Sequence, residues 1–389
     1  VPKDGPKRAN DSNRKEITGT MLRQYRVRDY DFKLIILVVA LTIIGIFAVG
    51  SADESLQKTQ IAGFMFGMFF MVVISLFDYS VLLKLYWIFY IGNIALLGLV
   101  RTSLGVTVNG AQRWIVLFGI QFQPSEIAKI MLILFYAQFI MKRREKINSF
   151  IIIALCCLFM LPSLILVYKQ PNLSTTIVMM VMFCVIMFVG GISWKLVAGI
   201  LAVVIPAAII IFSIVIQPDQ TLIRPYQQTR IYAWLYPEKY STTEAYQQLN
   251  SIMAIGSGQL QGKGYKTNVI SSVKNGNFIS EPETDFIFAV IGEEFGFIGT
   301  CAVIVLIILI TLECFRVARR AKDLAGSIIA AGMAGLIGFQ GFLNIGVNTG
   351  LLPNTGVTLP FVSYGLTSLV SLYIGVGFVL NVGLQCKKY

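Results

Sequence analysis

Three carboxylates stand within five residues at Glu281-Pro282-Glu283-Thr284-Asp285, and the last of them borders an apolar run that opens Phe286-Ile287-Phe288. A carboxylate at such a boundary is a candidate general base, because it touches both a polar substrate and the membrane. On a helix, positions 289, 292, 296 and 299 fall close beneath 285, and the sequence there reads Ala289, Gly292, Gly296 and Gly299. The acid then crowns a groove with almost no side chains, suited to a second helix or a long, thin apolar ligand. Asp285 is read as a catalytic base at a membrane surface. A plain helix cap is the alternative.

The chain has no histidine. A histidine triad, a histidine proton relay and histidine-ligated zinc are excluded, leaving carboxylates, Lys, Tyr and Cys for proton transfer. Cysteines 156, 157, 184, 301, 314 and 386 lie within or at the ends of apolar runs, so no disulfide framework is visible.

A second pair of ionisable residues sits in Pro124-Ser125-Glu126-Ile127-Ala128-Lys129. Proline and an early glutamate open a helix well, and Glu126 and Lys129 are spaced to pair within the membrane. They are either functional or a salt bridge that positions the helix. Lys169-Gln170-Pro171-Asn172 forms a short turn, where Lys169 either snorkels or meets an anionic headgroup. Further on come Arg224-Pro225-Tyr226-Gln227-Gln228-Thr229-Arg230, an apolar spacing over 244–255 that predicts a short interfacial helix, and then Gly256-Ser257-Gly258 and Gly262-Lys263-Gly264. The glycine pairs are a weak candidate phosphate cradle. They do not match the spacing of a nucleotide-binding loop.

The elements that must position these residues are helices in a bilayer. The sequence is 56% hydrophobic and 13% charged, and its apolar runs reach the roughly 20 residues needed to cross hydrocarbon. The expected class is an all-α polytopic membrane protein; an outer-membrane barrel would need alternating short strands. Ten transmembrane spans are expected, at 32–50, 60–77, 81–100, 125–141, 150–168, 173–191, 194–216, 285–312, 326–348 and 361–384. Residues 1–31 form a polar tail without a cleavable-signal pattern, in which 1–20 read as an extension and Met21 as an internal start. Residues 32–389 form one ten-helix domain, with 217–284 as a large outer loop before the eighth helix. This arrangement places 21 of the 32 Lys and Arg residues on one face, which makes that face and both termini cytoplasmic. The net charge of +12 is then a topological bias, and no nucleic-acid partner is expected.

Several motifs in order resemble the SEDS family (shape, elongation, division and sporulation). They are Asn109-Gly-Ala-Gln-Arg113-Trp, Gln123-Pro-Ser-Glu-Ile-Ala-Lys129, Lys169-Gln-Pro-Asn-Leu-Ser-Thr175, Ala254-Ile-Gly-Ser-Gly258 with Gly262-Lys-Gly264, and Thr284-Asp-Phe-Ile-Phe-Ala-Val-Ile-Gly-Glu-Glu-Phe-Gly296. The tail Asn344-Ile-Gly-Val-Asn348 through Pro353, Gly356 and Pro360 to Ser363-Tyr364-Gly365 belongs with them. The likeness covers residues 21–389, and the lead-in Leu22-Arg-Gln-Tyr-Arg-Val-Arg-Asp-Tyr-Asp31 is closer to the RodA branch than to the FtsW branch.

The resemblance implies a peptidoglycan glycosyltransferase that polymerises lipid II at the outer face of the bacterial cytoplasmic membrane, for wall elongation and cell shape. A class B penicillin-binding protein is the implied transpeptidase partner. The family's essential acid falls on Asp285, and its intramembrane pair on Glu126 and Lys129. The family's aspartate in the turn is here Asn172, and Ser174 replaces a glycine. A role needing negative charge at 172 is thereby in doubt. In this scheme Asp285, or else Glu283 or Glu281, deprotonates the attacking sugar hydroxyl. Arg113, Arg230, Lys263 and Lys169 meet the pyrophosphate, and Glu283 adds a further substrate contact. No cofactor is expected to bind tightly, although a magnesium or manganese ion held by Asp285 and Glu283 suits such chemistry. Two other classes stay open. A lipid II flippase would use Glu126, Lys129, Glu293 and Glu294 for translocation, whereas a scaffold would only recruit the transpeptidase. Asn344, Asn348, Ser363 and Tyr364 either bond between helices or line a cavity.

Overall fold

The computed structural model describes residues 30–386 except 109–110, 118, 218–219, 221–222, 224 and 267–277. The polar tail to residue 29, Met21, the motif residues Asn109 and Gly110, Arg224 and Lys387-Lys388 lie outside the described residues.

The chain is a multi-pass helical membrane protein. Its long helices are α1 (Phe32–Ala52), α2 (Glu54–Leu76), α3 (Tyr79–Leu99), α4 (Pro124–Met141), α5 (Phe150–Lys169), α6 (Leu173–Val189) and α7 (Trp194–Val215). Two short helices, α8 (Pro225–Leu235) and α9 (Tyr246–Ser257), precede α10 (Ile287–Arg320), α11 (Leu324–Asn348) and α12 (Leu366–Leu384). Among the described residues nine helices are long and apolar enough to cross a membrane. The tenth expected span, α6, has 17 residues, the lower end of what a span needs.

Acid and amide caps set several starts. Asp31, Asp53 and Asp323 accept from the backbone N–H of Leu34, Ser55 and Gly326, and Asn172 from that of Thr175. The cap at Asp53 starts α2 six residues earlier than the apolar run does, because its first turn is polar. Asn caps as well as Asp, so the unusual residue at 172 keeps its local structural role without a charge. Ser174 in turn donates to the carbonyl of Thr355, tying α6 to the 349–365 segment.

Helices α4, α11 and α12 form the centre, with 83%, 78% and 72% of their apolar stretches inside the protein, whereas α7 buries none of its own. The stretch between α3 and α4 holds a structure that the apolar pattern does not announce: an antiparallel sheet of β1 (Gly105–Val108), β2 (Ala111–Leu117) and β3 (Ile120–Phe122) in that order. It pairs Val106 with Trp114 and Val116 with Gln121. Its strands are too short, and its turn too irregular, for two-residue alternation to stand out in the sequence. The last helix starts at Leu366 rather than 361, because Gly365 adopts φ 154°, far from helical values.

Candidate active site

Asp285 lies in the turn immediately before α10, and its carboxylate does not cap that helix: the capping position is Phe286, with no side-chain cap bond. The segment that carries the acid is gripped from outside. The carbonyl of Glu283 accepts from the Tyr364 N–H at 2.8 Å, and that of Thr284 from Ser363 Oγ at 2.6 Å. The carbonyl of Asp285 accepts from both Asn344 Nδ2 at 2.8 Å and Asn348 Nδ2 at 2.9 Å. Three successive carbonyls, which a turn would otherwise leave to water, are thus satisfied by the end of α11 and the segment after it. Asn344, Asn348, Ser363 and Tyr364 are therefore hydrogen-bond partners of the acid's own backbone.

The carboxylate retains some accessible surface while protein surrounds it closely. Its pKa is pushed up from 3.8 to about 6, chiefly by burial. Glu281 and, more weakly, Glu283 add to that rise, and the guanidinium groups of Arg230 and Arg113 offset part of it. Glu283 itself is raised, chiefly by burial and then by its acidic neighbours Glu281 and Asp53, against a hydrogen bond from its own backbone. Gly356 closes the other side: a Cβ there would lie 3.2 Å from Asp285 Oδ2, at φ +68°. Only a glycine passes the chain so near the acid in that conformation.

Both arginines reach the site from separate elements. Arg113, on β2, donates through Nε to the Gln170 carbonyl at 3.1 Å and through Nη2 to that of Pro171. The unexpected sheet thus serves to fasten Arg113 to the α5–α6 turn. Lys169 is exposed one residue before those acceptors, and its carbonyl accepts from Arg101 at 3.2 Å. Arg230, on α8, donates to the Asn354 carbonyl at 3.3 Å.

Of the two occupants that the groove of small residues suits, a helix takes it: Ile255 of α9 packs on Gly292, and Ala254 shares a buried cluster with Ala289. Other expectations are corrected. No single helical face runs from 285 to 299. At Gly296 the backbone turns to φ 65°, ψ −159°, breaking α10 into two arms. The groups released by the break are satisfied by the loop after α9, as buried membrane backbone must be. The N–H groups of Phe297 and Ile298 bond to the carbonyls of Gln259 and Leu260, while the carbonyls of Glu293 and Glu294 accept from Lys263 and Gly264. The N–H groups of Lys263 and Gly264 are therefore spent on this helix and those of Gly258 and Gly262 on the carbonyls of Ala254 and Gly258, so none of these four is left for a phosphate. Lys263 binds Glu293 through its side chain at 2.7 Å and so belongs to the break rather than to the groups acting on Asp285. Glu294 accepts from Ser51.

Glu126 and Lys129 form a buried pair at 2.9 Å. Lys129 also donates to Gln340 Oε1 at 3.1 Å, and Ser368 donates to Glu126 Oε2 at 3.0 Å. Gln340 continues to the Thr358 carbonyl at 3.1 Å, and Asn344 reaches the neighbouring Val357 carbonyl at 2.6 Å. This linkage from the pair to the Asp285 turn, through Gln340, was not foreseen; a glutamine in an apolar run was its only sequence signal.

Beside the acid segment an open, mostly polar cavity of about 580 Å³ is lined by Gly50 to Glu54, Lys266, Ile279 and Glu281 to Glu283. Among the described residues no group of three or more His, Cys, Asp or Glu side chains is arranged to hold a metal.

Residues 30–388 match the family of cell cycle proteins that takes in FtsW, RodA and SpoVE. The chain is 34% identical to the peptidoglycan glycosyltransferase MrdB of Escherichia coli K12, over 92% of this chain and 94% of that one. It is 33% identical to a probable peptidoglycan glycosyltransferase FtsW of Geobacter sp. strain M18, over 93% and 99%. Among solved structures it resembles the rod shape determining protein RodA of Thermus thermophilus, with TM-score 0.67 and 29% identity over 92% of this chain and 98% of that one. It also resembles a chain of a peptidoglycan synthase complex that coordinates polymerization and crosslinking, with TM-score 0.74 and 30% identity over 91% and 97%.

Proposed function

This chain belongs to the FtsW/RodA/SpoVE family, and from that premise we propose that it polymerises lipid II at the outer face of the bacterial cytoplasmic membrane, with Asp285 as general base. The observation that carries the base assignment is a carboxylate on a tethered turn whose pKa is raised to about 6, chiefly by burial, against the pull of Arg230 and Arg113. Such a group is mostly ionised at neutral pH yet basic enough to accept a proton in the transition state.

In the step proposed, Asp285 takes the proton of a sugar hydroxyl on one lipid II molecule. That oxygen bonds to the anomeric carbon at the end of the growing glycan, and the bond from this carbon to the pyrophosphate oxygen breaks. The polyprenyl pyrophosphate leaves with the negative charge, which Arg113 and Arg230 stabilise electrostatically. Lys169, exposed beside the turn that holds Arg113, supplies a further cation for the phosphates. The polar cavity along Glu281 to Glu283 has a volume within the usual range for ligand sites, and it suits a hydrated sugar better than a lipid tail. The tail does not take the groove under Asp285, which α9 occupies. A magnesium or manganese ion bound by Asp285 and Glu283 would draw its remaining ligands from phosphates and water.

Both termini are assigned to the cytoplasm by the basic loops. The likeness to a synthase complex that couples polymerization to crosslinking supports a class B penicillin-binding protein as partner. The test is polymerisation of purified lipid II by the wild type and by Asp285→Asn. Glycan chains from the variant would remove the base assignment. Lipid II moved intact across proteoliposomes, with no glycan made by the wild type, would point to transport instead.

A further inference from the structure

At the end of α4 remote from Glu126, the chain runs through Lys142-Arg143-Arg144-Glu145-Lys146 before α5 begins at Phe150. Met141, these five residues and Ile152 line an open cavity of about 630 Å³. Its cations are held without being neutralised. Lys142 Nζ lies 4.5 Å from the centre of the Tyr86 ring, and the Arg143 guanidinium 4.0 Å from that of Phe139. Among the described residues no carboxylate lies within ion-pair distance of Lys142, Arg143, Arg144 or Lys146, Glu145 included. Two other cations on the same face are paired, Arg316 with Glu313 at 2.8 Å and Lys322 with Asp78 at 3.9 Å.

The cavity is fixed in place and lies beside an exposed apolar wall. Asn148 donates to the Gly191 carbonyl at 3.3 Å and accepts from the Ser193 N–H at 2.7 Å, which pins the loop to the α6–α7 turn. Just beyond it, Phe150 and Ile151 are 83% and 68% exposed, as side chains facing acyl chains would be. Topological bias alone requires basic residues on this face. It does not require four of them around one cavity, unpaired, beside a lipid-facing apolar wall.

We infer that this cavity binds the phosphate headgroup of an anionic phospholipid, with its acyl chains lying along Phe150 and Ile151. A phosphodiester offers the oxygens that arginines grip in pairs of hydrogen bonds, and basic pockets between transmembrane helices are where such headgroups lodge. The same contacts would serve a free phosphate, but only a lipid also uses the apolar wall. Its occupant would clamp the end of α4 opposite the Glu126–Lys129 pair and so set the depth of that helix.

Native mass spectrometry of the purified full chain with phosphatidylglycerol, phosphatidylcholine or inorganic phosphate tests this. The wild type is expected to retain phosphatidylglycerol and not phosphatidylcholine, and inorganic phosphate should not displace it. Each Lys or Arg near an anionic headgroup contributes roughly a fivefold preference. Arg143→Gln with Arg144→Gln should therefore weaken retention by roughly 25-fold, while Arg319→Gln with Arg320→Gln on the same face should not. Equal retention by both pairs, equal retention of the neutral lipid, or displacement by phosphate would each overturn the assignment. Should the first pair fail to fold, Lys142→Gln with Lys146→Gln reads the same site.

Discussion

Replacing Asp285 by Asn should abolish polymerisation and at the same time stabilise the protein above neutral pH. The carboxyl titrates at 3.8 when unperturbed and at about 6 in the folded chain. A raised folded pKa means that the native state holds the proton more tightly than the unfolded state. The stability this contributes is complete below pH 3.8 and is lost as pH rises through about 6. Two units at about 1.4 kcal/mol each give a cost of up to about 3 kcal/mol for keeping this site ionised at pH 8. The value of about 6 already includes the attraction of Arg230 and Arg113, so the ionised form is disfavoured even with them present. An amide of the same shape escapes that cost. Thermal unfolding of wild type and Asp285→Asn in nanodiscs from pH 4 to pH 8 should show the variant more stable at pH 8, with the difference closing toward pH 4. A helix cap predicts the opposite sign, since removing a cap destabilises by about 1 kcal/mol. A variant less stable than wild type at pH 8, or a difference independent of pH, would refute the reasoning.

The base assignment also fixes the pH profile: polymerisation should fall as pH drops through about 6, where Asp285 becomes protonated. Glu281→Gln, which removes a neighbour that raises this pKa, should move the acidic limb downward, as measured by initial rates of lipid II consumption. Lys129→Ala strands the buried Glu126 carboxylate and should cost about 3–5 kcal/mol in unfolding free energy; Glu126→Gln with Lys129→Met should cost much less. Gly356→Ala forces a side chain into a left-handed backbone and against Asp285 Oδ2, so the rate should fall at least tenfold while the fold survives, as circular dichroism would report.

The helices were legible because a span is written in its own composition: an unbroken apolar run of the right length has one solution in hydrocarbon. Boundaries failed where polar side chains rather than apolar ones decide them, as at Asp53, which caps α2 in a polar turn. The break at Gly296 was hidden for a different reason. The carbonyl and N–H groups it releases are satisfied by residues 259–264, about thirty to forty positions away, and no local pattern records such a partner. The same holds for the groove, since spacing showed that Ala289 and Gly292 leave room and left open which occupant takes it. Asp285 was visible as an acid at a boundary, and Arg113 and Arg230 as cations suited to phosphate. That all three act on one another depends on the sheet at 105–122 and on α8, neither of which the apolar pattern announces.

What holds Asp285 in position is mostly not its own helix. Its carbonyl is held by Asn344 and Asn348 on α11, and Asn344 also grips Val357, the residue next to Gly356, which abuts the carboxylate. One residue further, Thr358 is bound by Gln340, which shares its amide oxygen with Lys129. The segment 356–358 is thus a strap fastened at one end to the acid and at the other to the buried ion pair. A change at Glu126 can reach Asp285 without any contact between them, because Lys129 would lose the partner that fixes it against Gln340. On this reasoning Glu126→Ala should lower the polymerisation rate, and Gln340→Leu should reproduce part of that loss while leaving no buried charge unpaired. Rates and unfolding free energies measured together separate the two effects: a rate loss without a matching loss of stability identifies the strap, and equal losses in both would reduce the pair to a structural staple.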